Sequence, residues 1–200
     1  SRLLGSDDMH LLRKCPCPVW LTRPGEPQQY QSILAAVDFD PADEASLTSE
    51  LNTRILELSA SLALRHSARY HLVHVWDAPA EALLRRWSDD PDNTGFTYVS
   101  AERERHHRGM DRIRAWLDDY LGPETAAGLD PQLHTLRGDP GEVIPGLAER
   151  TGADLTVMGT VARTGIAGLF MGNTAETVLD QLHSSVLAVK PPGFVSPVRP

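Results

Sequence analysis

Apolar and polar positions along this chain fall into blocks of changing period. Residues 32–38, SILAAVD, form a short apolar run closed by an acid, the pattern of a strand buried on both faces. A helical pattern follows, with Leu51, Ile55, Leu58 and Leu62 on one stripe. Asp40 and Asp43 are its candidate caps, and Pro41 lies near the first turn. ARYHLVHVW (68–76) reads as a second strand and APAEALLRRW (78–87) as a short helix. SDDPDNTG (88–95) then reads as a polar loop, and Thr97 to Leu121 as a long helix charged on one side. PQLHTLRG (131–138) is a third strand, DPGEVIPGLAERTGA a helix with an acidic, proline-containing start, and DLTVMG (154–159) a fourth strand. A glycine-rich loop, a helix over about 174–182 and the strand SVLAVK (185–190) complete the order.

Strands alternating with helices predict an α/β fold: an open, mostly parallel five-stranded sheet with helices on both faces, in three layers. Ligands of such sheets sit beyond the carboxyl ends of the strands, where the strand order switches. Asp38 and Gly159 both end strands and so both face that crevice.

An internal repeat changes the domain count. LLGSDDMHLLRKCPCPVWLTRPG (3–25) aligns without gaps on FMGNTAETVLDQLHSSVLAVKPP (170–192), at a constant offset of 167 residues. Gly5 falls on Gly172, Leu12 on Leu179, Val19 on Val186, Arg23 on Lys190 and Pro24 on Pro191. Residues 1–24 are therefore expected to be the last helix and strand of a preceding, homologous domain. Residues 25–30 are a linker, 31–192 a complete domain and 193–200 a tail. The helix at 7–14, lacking its own sheet, is expected to expose Leu11 and Leu12.

The net charge of −8 argues against nucleic-acid or anionic-membrane partners, which need a basic face, but leaves room for a small nucleotide. Cys15 and Cys17 lie in C-P-C, too close for a comfortable disulfide, which fits a reduced, cytoplasmic setting. No second ligand cluster follows them, and no metal site is expected.

The loop from residue 158 to 179 carries Gly159, Gly165, Gly168 and Gly172 ahead of a helix. Glycines let backbone N–H groups turn toward phosphates, and the helix start adds an anion-binding terminus. The spacing matches neither the P-loop nor the dinucleotide fingerprint. The alternative is a plain connection in which Asn173 caps the helix and Glu176 reaches back as its capping-box partner. Spacing alone leaves both open.

DLTVMGTVARTGIAGLFMGNTAETVLDQLHSSVLAVKP resembles the C-terminal signature of the universal stress proteins, and ILAAVDFD and HLVHVW resemble that family's first two strands. GNTAE followed by GFVSPV is similar to its tandem-domain type. The resemblance covers about residues 31–192 and implies an adenine-nucleotide-hydrolase-like, flavodoxin-like fold. It implies a stress-response regulator holding ATP or another adenine nucleotide, with Mg2+, in the pattern G-x2-G-x9-G-[ST]. Here Gly159 and Gly172 hold the outer positions, while Ala162 replaces the middle glycine and Asn173 the hydroxyl residue. A left-handed Ala162 would cost about 1–2 kcal/mol, which weakens binding about five- to thirty-fold. Asp38 corresponds to the family's ribose- or adenine-facing acid and Val75 to its adenine-contacting backbone position. Arg163 lies where it could pair with phosphate, or stand solvated.

No acid, base and oxyanion loop converge by spacing, so no catalytic residue is expected and any ATPase activity would be slow and incidental. His106 and His107 point apart on one helix and read as part of a solvated face. His71 and His74 point to opposite faces of a strand. The last strand, Val186, Leu187, Ala188 and Val189, leaves an unpaired edge. The resemblance implies that it pairs antiparallel with the equivalent Val19, Trp20 and Leu21, within the chain or across a homodimer. The partner is thus the preceding repeat domain or a second copy; any downstream protein is unidentified. The competing reading is a pseudo-dimer that binds no nucleotide and acts through protein contacts.

Overall fold

A computed structural model describes residues 6–25, 27–160 and 171–194. Its centre is a run of parallel strands, β2 (Ser32–Ala36), β3 (Arg69–Trp76), β4 (Gln132–Arg137), β5 (Leu155–Gly159) and β6 (Ser185–Val189), of which all but the edge strand β4 are largely buried. A sixth strand, β1 (Val19–Leu21), comes from the N-terminal segment and pairs antiparallel with β6. The order is β1-β6-β5-β2-β3-β4. The expected five-stranded sheet is thus extended by one strand, because the edge of β6 is covered within the chain.

The helices are α1 (Ser6–Lys14), α2 (Glu44–Leu47), α3 (Glu50–His66), α4 (Glu81–Trp87), α5 (Pro91–Leu121), α6 (Pro123–Leu129), α7 (Pro140–Thr151) and α8 (Asn173–Gln181). One apolar cluster lies between the sheet and α3 and α5, around Ile33, Leu72, Ile55, Met110 and Ile113. The other packs Leu34, Val73 and Met158 under Ile144, Leu147, Val178 and Leu12.

Four sequence expectations are corrected. The helix expected after β2 breaks into α2 and α3, because Ser49 accepts from Asn52 N and caps a new start. The expected loop at 88–95 is largely helix: Asp90 caps α5 and Pro91 fills its first turn, where a missing N–H costs nothing. Leu12 is 0% exposed, because α1 lies beside α8 on the sheet; Leu11 does remain exposed. His106 is buried rather than solvated.

The β1–β6 seam is two-fold symmetric. Val19 stands opposite Ala188, Trp20 opposite Leu187 and Leu21 opposite Val186. Under the 167-residue repeat, Trp20 and Leu187 are each other's equivalents, so the axis passes through that pair. The same operation relates two side-chain bonds. Arg23 Nη2 donates to Leu182 O at 2.8 Å, and Lys190 Nζ donates to Cys15 O.

Candidate functional site

The strand order switches between β2 and β5, which lie side by side with Ala36 opposite Met158. The chain leaves β2 toward β3 on one side, and α7 returns to β5 on the other. A crevice therefore opens beyond their carboxyl ends. Asp38 is exposed, two residues past the end of β2. Its backbone is held by Asn52, buried on α3. The Asn52 amide donates to Asp38 O (2.9 Å), Ser46 O (3.0 Å) and Leu47 O (3.2 Å), and its oxygen accepts from Asp38 N (3.2 Å).

Pairing of β2 with β3 ends at Ala36 opposite Val73, two residues short of Val75. Beside it lies a cleft of about 470 Å³, lined by Val75, Phe39, Asp40, Asp77, Glu102 and Arg105, among others. Phe39 stacks on His74 with ring centroids 3.8 Å apart, and His106 stacks between His74 (5.0 Å) and Trp76 (5.1 Å). His74 Nδ1 faces Val37 O at 3.3 Å, and a carbonyl can only accept, so that nitrogen carries the proton. Its Nε2 lies 2.9 Å from His106 Nδ1, within hydrogen-bond reach. His106 Nε2 in turn looks toward Glu102 Oε2 at 4.0 Å.

The other arm of the crevice is built by β5 and α8. A Cβ at Gly159 would lie 2.8 Å from Leu51 Cδ2, so the Leu51 side chain of α3 packs closely over the end of β5. Thr160 N donates to Val189 O (3.2 Å), and Gly172 N donates to Thr160 O (3.1 Å), which joins the end of β5 to the start of α8. The N-cap is Gly172, which has no side chain to cap with, and Asn173 is the exposed first helical residue. The expected Asn173–Glu176 capping box is therefore absent. Glu176 is engaged by Arg13 of α1, whose Nε and Nη2 donate to Oε1 at 3.1 and 2.6 Å. The first-turn N–H groups of α8 thus lack a side-chain cap. Beside them the Thr160 hydroxyl, in a residue 1% exposed, has no partner among the described residues. Donors that have no side-chain partner among the described residues fit an anion such as a phosphate. Ala162, Arg163, Gly165 and Gly168 lie outside the described residues.

A second histidine pair sits on the opposite face of β3. His71 Nδ1 lies 3.1 Å from His134 Nε2. Burial, then the neighbouring His134 and Arg69, push the His71 pKa down to about 4. Burial, then Arg150, lowers that of His134. Burial also lowers that of Lys190.

The model of the universal stress protein family matches residues 29–190. The chain belongs to the universal stress protein family. It is 34% identical to universal stress protein E of Escherichia coli K12, over 96% of this chain and 57% of that protein. A crystal structure of a functionally unknown protein from Pseudomonas aeruginosa PAO1 superposes with a TM-score of 0.69 at 31% identity, covering 94% of this chain and 57% of that one. A putative universal stress protein of P. aeruginosa UCBPP-PA14 gives 0.66 at the same identity and coverage. The chain spans about 57% of the length of these relatives.

In this universal stress protein, Asp38, Val75, Gly159, Gly172 and Asn173 all lie along the carboxyl-terminal edge of the sheet. Sequence reading missed Asn52 and the His74–His106 pair. Asn52 was detectable as a polar residue on the buried face that also carries Ile55, Leu56 and Ser59. Nothing local announces the His74–His106 contact, which joins residues 32 positions apart.

Proposed function

We propose that this chain is a non-catalytic, cytoplasmic stress-response regulator that binds ATP or another adenine nucleotide, with Mg2+, weakly along this edge. One observation carries the reading: among the described residues the start of α8 has no side-chain cap and the buried Thr160 hydroxyl has no partner, and Thr160 follows Gly159 and bonds through its carbonyl to Gly172 N. The base and ribose would lie toward Asp38 and Val75, and the phosphates toward Gly172 and Asn173. Bound nucleotide supplies charge to the α8 end; the chain's own residues bind and orient it. Calorimetric titration with Mg-ATP, alongside Ala162→Gly, tests this. Tighter binding in the variant supports a weakened phosphate loop, and no heat from either protein refutes nucleotide binding.

Residues 1–24 are read here as the end of a preceding repeat, so that the partner is that repeat or a second copy. The symmetric seam and the greater length of the relatives support this. A second reading, action through protein contacts alone, is favoured by the departures at Ala162 and Asn173. It is favoured also by exposed Leu83 (60%) and Trp87 (80%) on α4 and Phe96 (69%) on α5.

A further inference from the structure

Beside the apolar packing of Leu12, the N-terminal unit makes a charged contact with the first turn of α8 through Arg13. Glu176 stands in the first turn of α8, on the end of the helix that would face phosphate. An uncompensated carboxylate there opposes any polyphosphate. Arg13 compensates it with two bonds to a single carboxylate oxygen. Both side chains keep substantial exposure, 42% and 30%, so the pair adds little to stability and is readily polarised by an incoming anion. Symmetry does not impose the contact. At the repeat offset the equivalents of Arg13 and Glu176 are Asp180 and Met9, which cannot form an ion pair, whereas Arg23 and Lys190 do obey the two-fold. The charge compensation is therefore one-sided.

We propose that Arg13 is a specificity-determining residue lent by the N-terminal unit to the nucleotide site: by neutralising Glu176 in the first turn of α8, it sets how strongly the site discriminates among nucleotides by phosphate number. This rests on the nucleotide reading above. It couples the β1–β6 seam to the site, since displacing α1 also withdraws the guanidinium.

The test uses the full chain and titrates wild type, Arg13→Ala, Glu176→Gln and the double variant with Mg-ATP, AMP and adenosine. Arg13→Ala is expected to weaken ATP about fivefold, AMP less, and adenosine not at all. Glu176→Gln is expected to tighten ATP, and in that background Arg13→Ala should change little. Equal losses for ATP and adenosine would mean general structural damage, and an unchanged ATP affinity in both single variants would leave Arg13 without a role; either overturns the proposal while nucleotide binding stands. Should Arg13→Ala not fold, the Glu176→Gln titration alone decides by the same criterion. Wild type that binds none of the three ligands overturns the nucleotide reading, and this proposal with it.

Discussion

Trp20 stands opposite Leu187 on the axis that relates β1 to β6, and each is the repeat equivalent of the other. A pair of residues related to itself by a two-fold is the signature of an isologous contact. Here that contact is made inside one chain, and it covers a sheet edge that would otherwise present a row of unpaired N–H and C=O groups.

Leu12 ties α1 to this arrangement. It is fully buried against the α7–α8 face, so Leu12→Ala is expected to cost about 2–5 kcal/mol. Chemical denaturation should show this loss in the main cooperative transition. A change under about 0.5 kcal/mol, the usual size for a surface position, would mean that α1 does not pack as described.

Gly109 on α5 makes room for Phe39. A Cβ there would lie 2.3 Å from the Phe39 ring, so Gly109→Ala should displace the Phe39–His74 stack and destabilise by about 1–3 kcal/mol. Gly128 on α6 meets nothing within 4 Å, and Gly128→Ala should instead stabilise by about 0.4–1 kcal/mol. Paired thermal melts separate the two; a shared sign would contradict the packing.

Removing the Asn52 amide takes one hydrogen-bond partner from Asp38 N and from the carbonyls of Asp38, Ser46 and Leu47. Asn52→Leu is expected to cost about 2 kcal/mol or more. It should also alter the Asp38 amide resonance while leaving that of Val186 on β6 unmoved.

Acid should loosen the β3–β4 side of the sheet. His71 stays neutral in the folded protein down to about pH 4, whereas an unfolded histidine takes its proton near 6.5. The unfolded state binds more protons within that window, so stability present above about pH 6.5 is lost as pH falls toward 4, by roughly 2–3 kcal/mol for this residue. His134 shifts in the same direction and adds to the loss. Unfolding free energy measured between pH 7 and 4 should fall, and His71→Gln should flatten the curve.

The strands were legible because β2, β5 and β6 are continuous apolar runs bounded by acids, glycines or proline. The start of α5 was written in the sequence as Asp90-Pro91, but the polar composition around it reads equally as loop. Leu12 could not be placed locally, since its burial depends on α8, more than 160 residues away. The cap of α8 fell one residue early, on Gly172, and the carboxylate expected to complete a capping box pairs instead with Arg13. His106 was judged by its neighbour His107, whereas its contacts are His74, Trp76 and Phe39. The misses at Leu12, Glu176 and His106 are side-chain contacts made across the fold; the edge that carries Asp38, Val75, Gly159 and Gly172 follows from strand order.

The most direct measurement is the amide nitrogen–proton spectrum of the full chain with and without Mg-ATP. Shifts concentrated at Asp38, Val75, Gly159, Thr160, Gly172 and Asn173, with β1 and α4 unmoved, are the predicted result. An unchanged spectrum at millimolar nucleotide, or shifts confined to α4 and the start of α5, would contradict a nucleotide site at the carboxyl-terminal edge of the sheet.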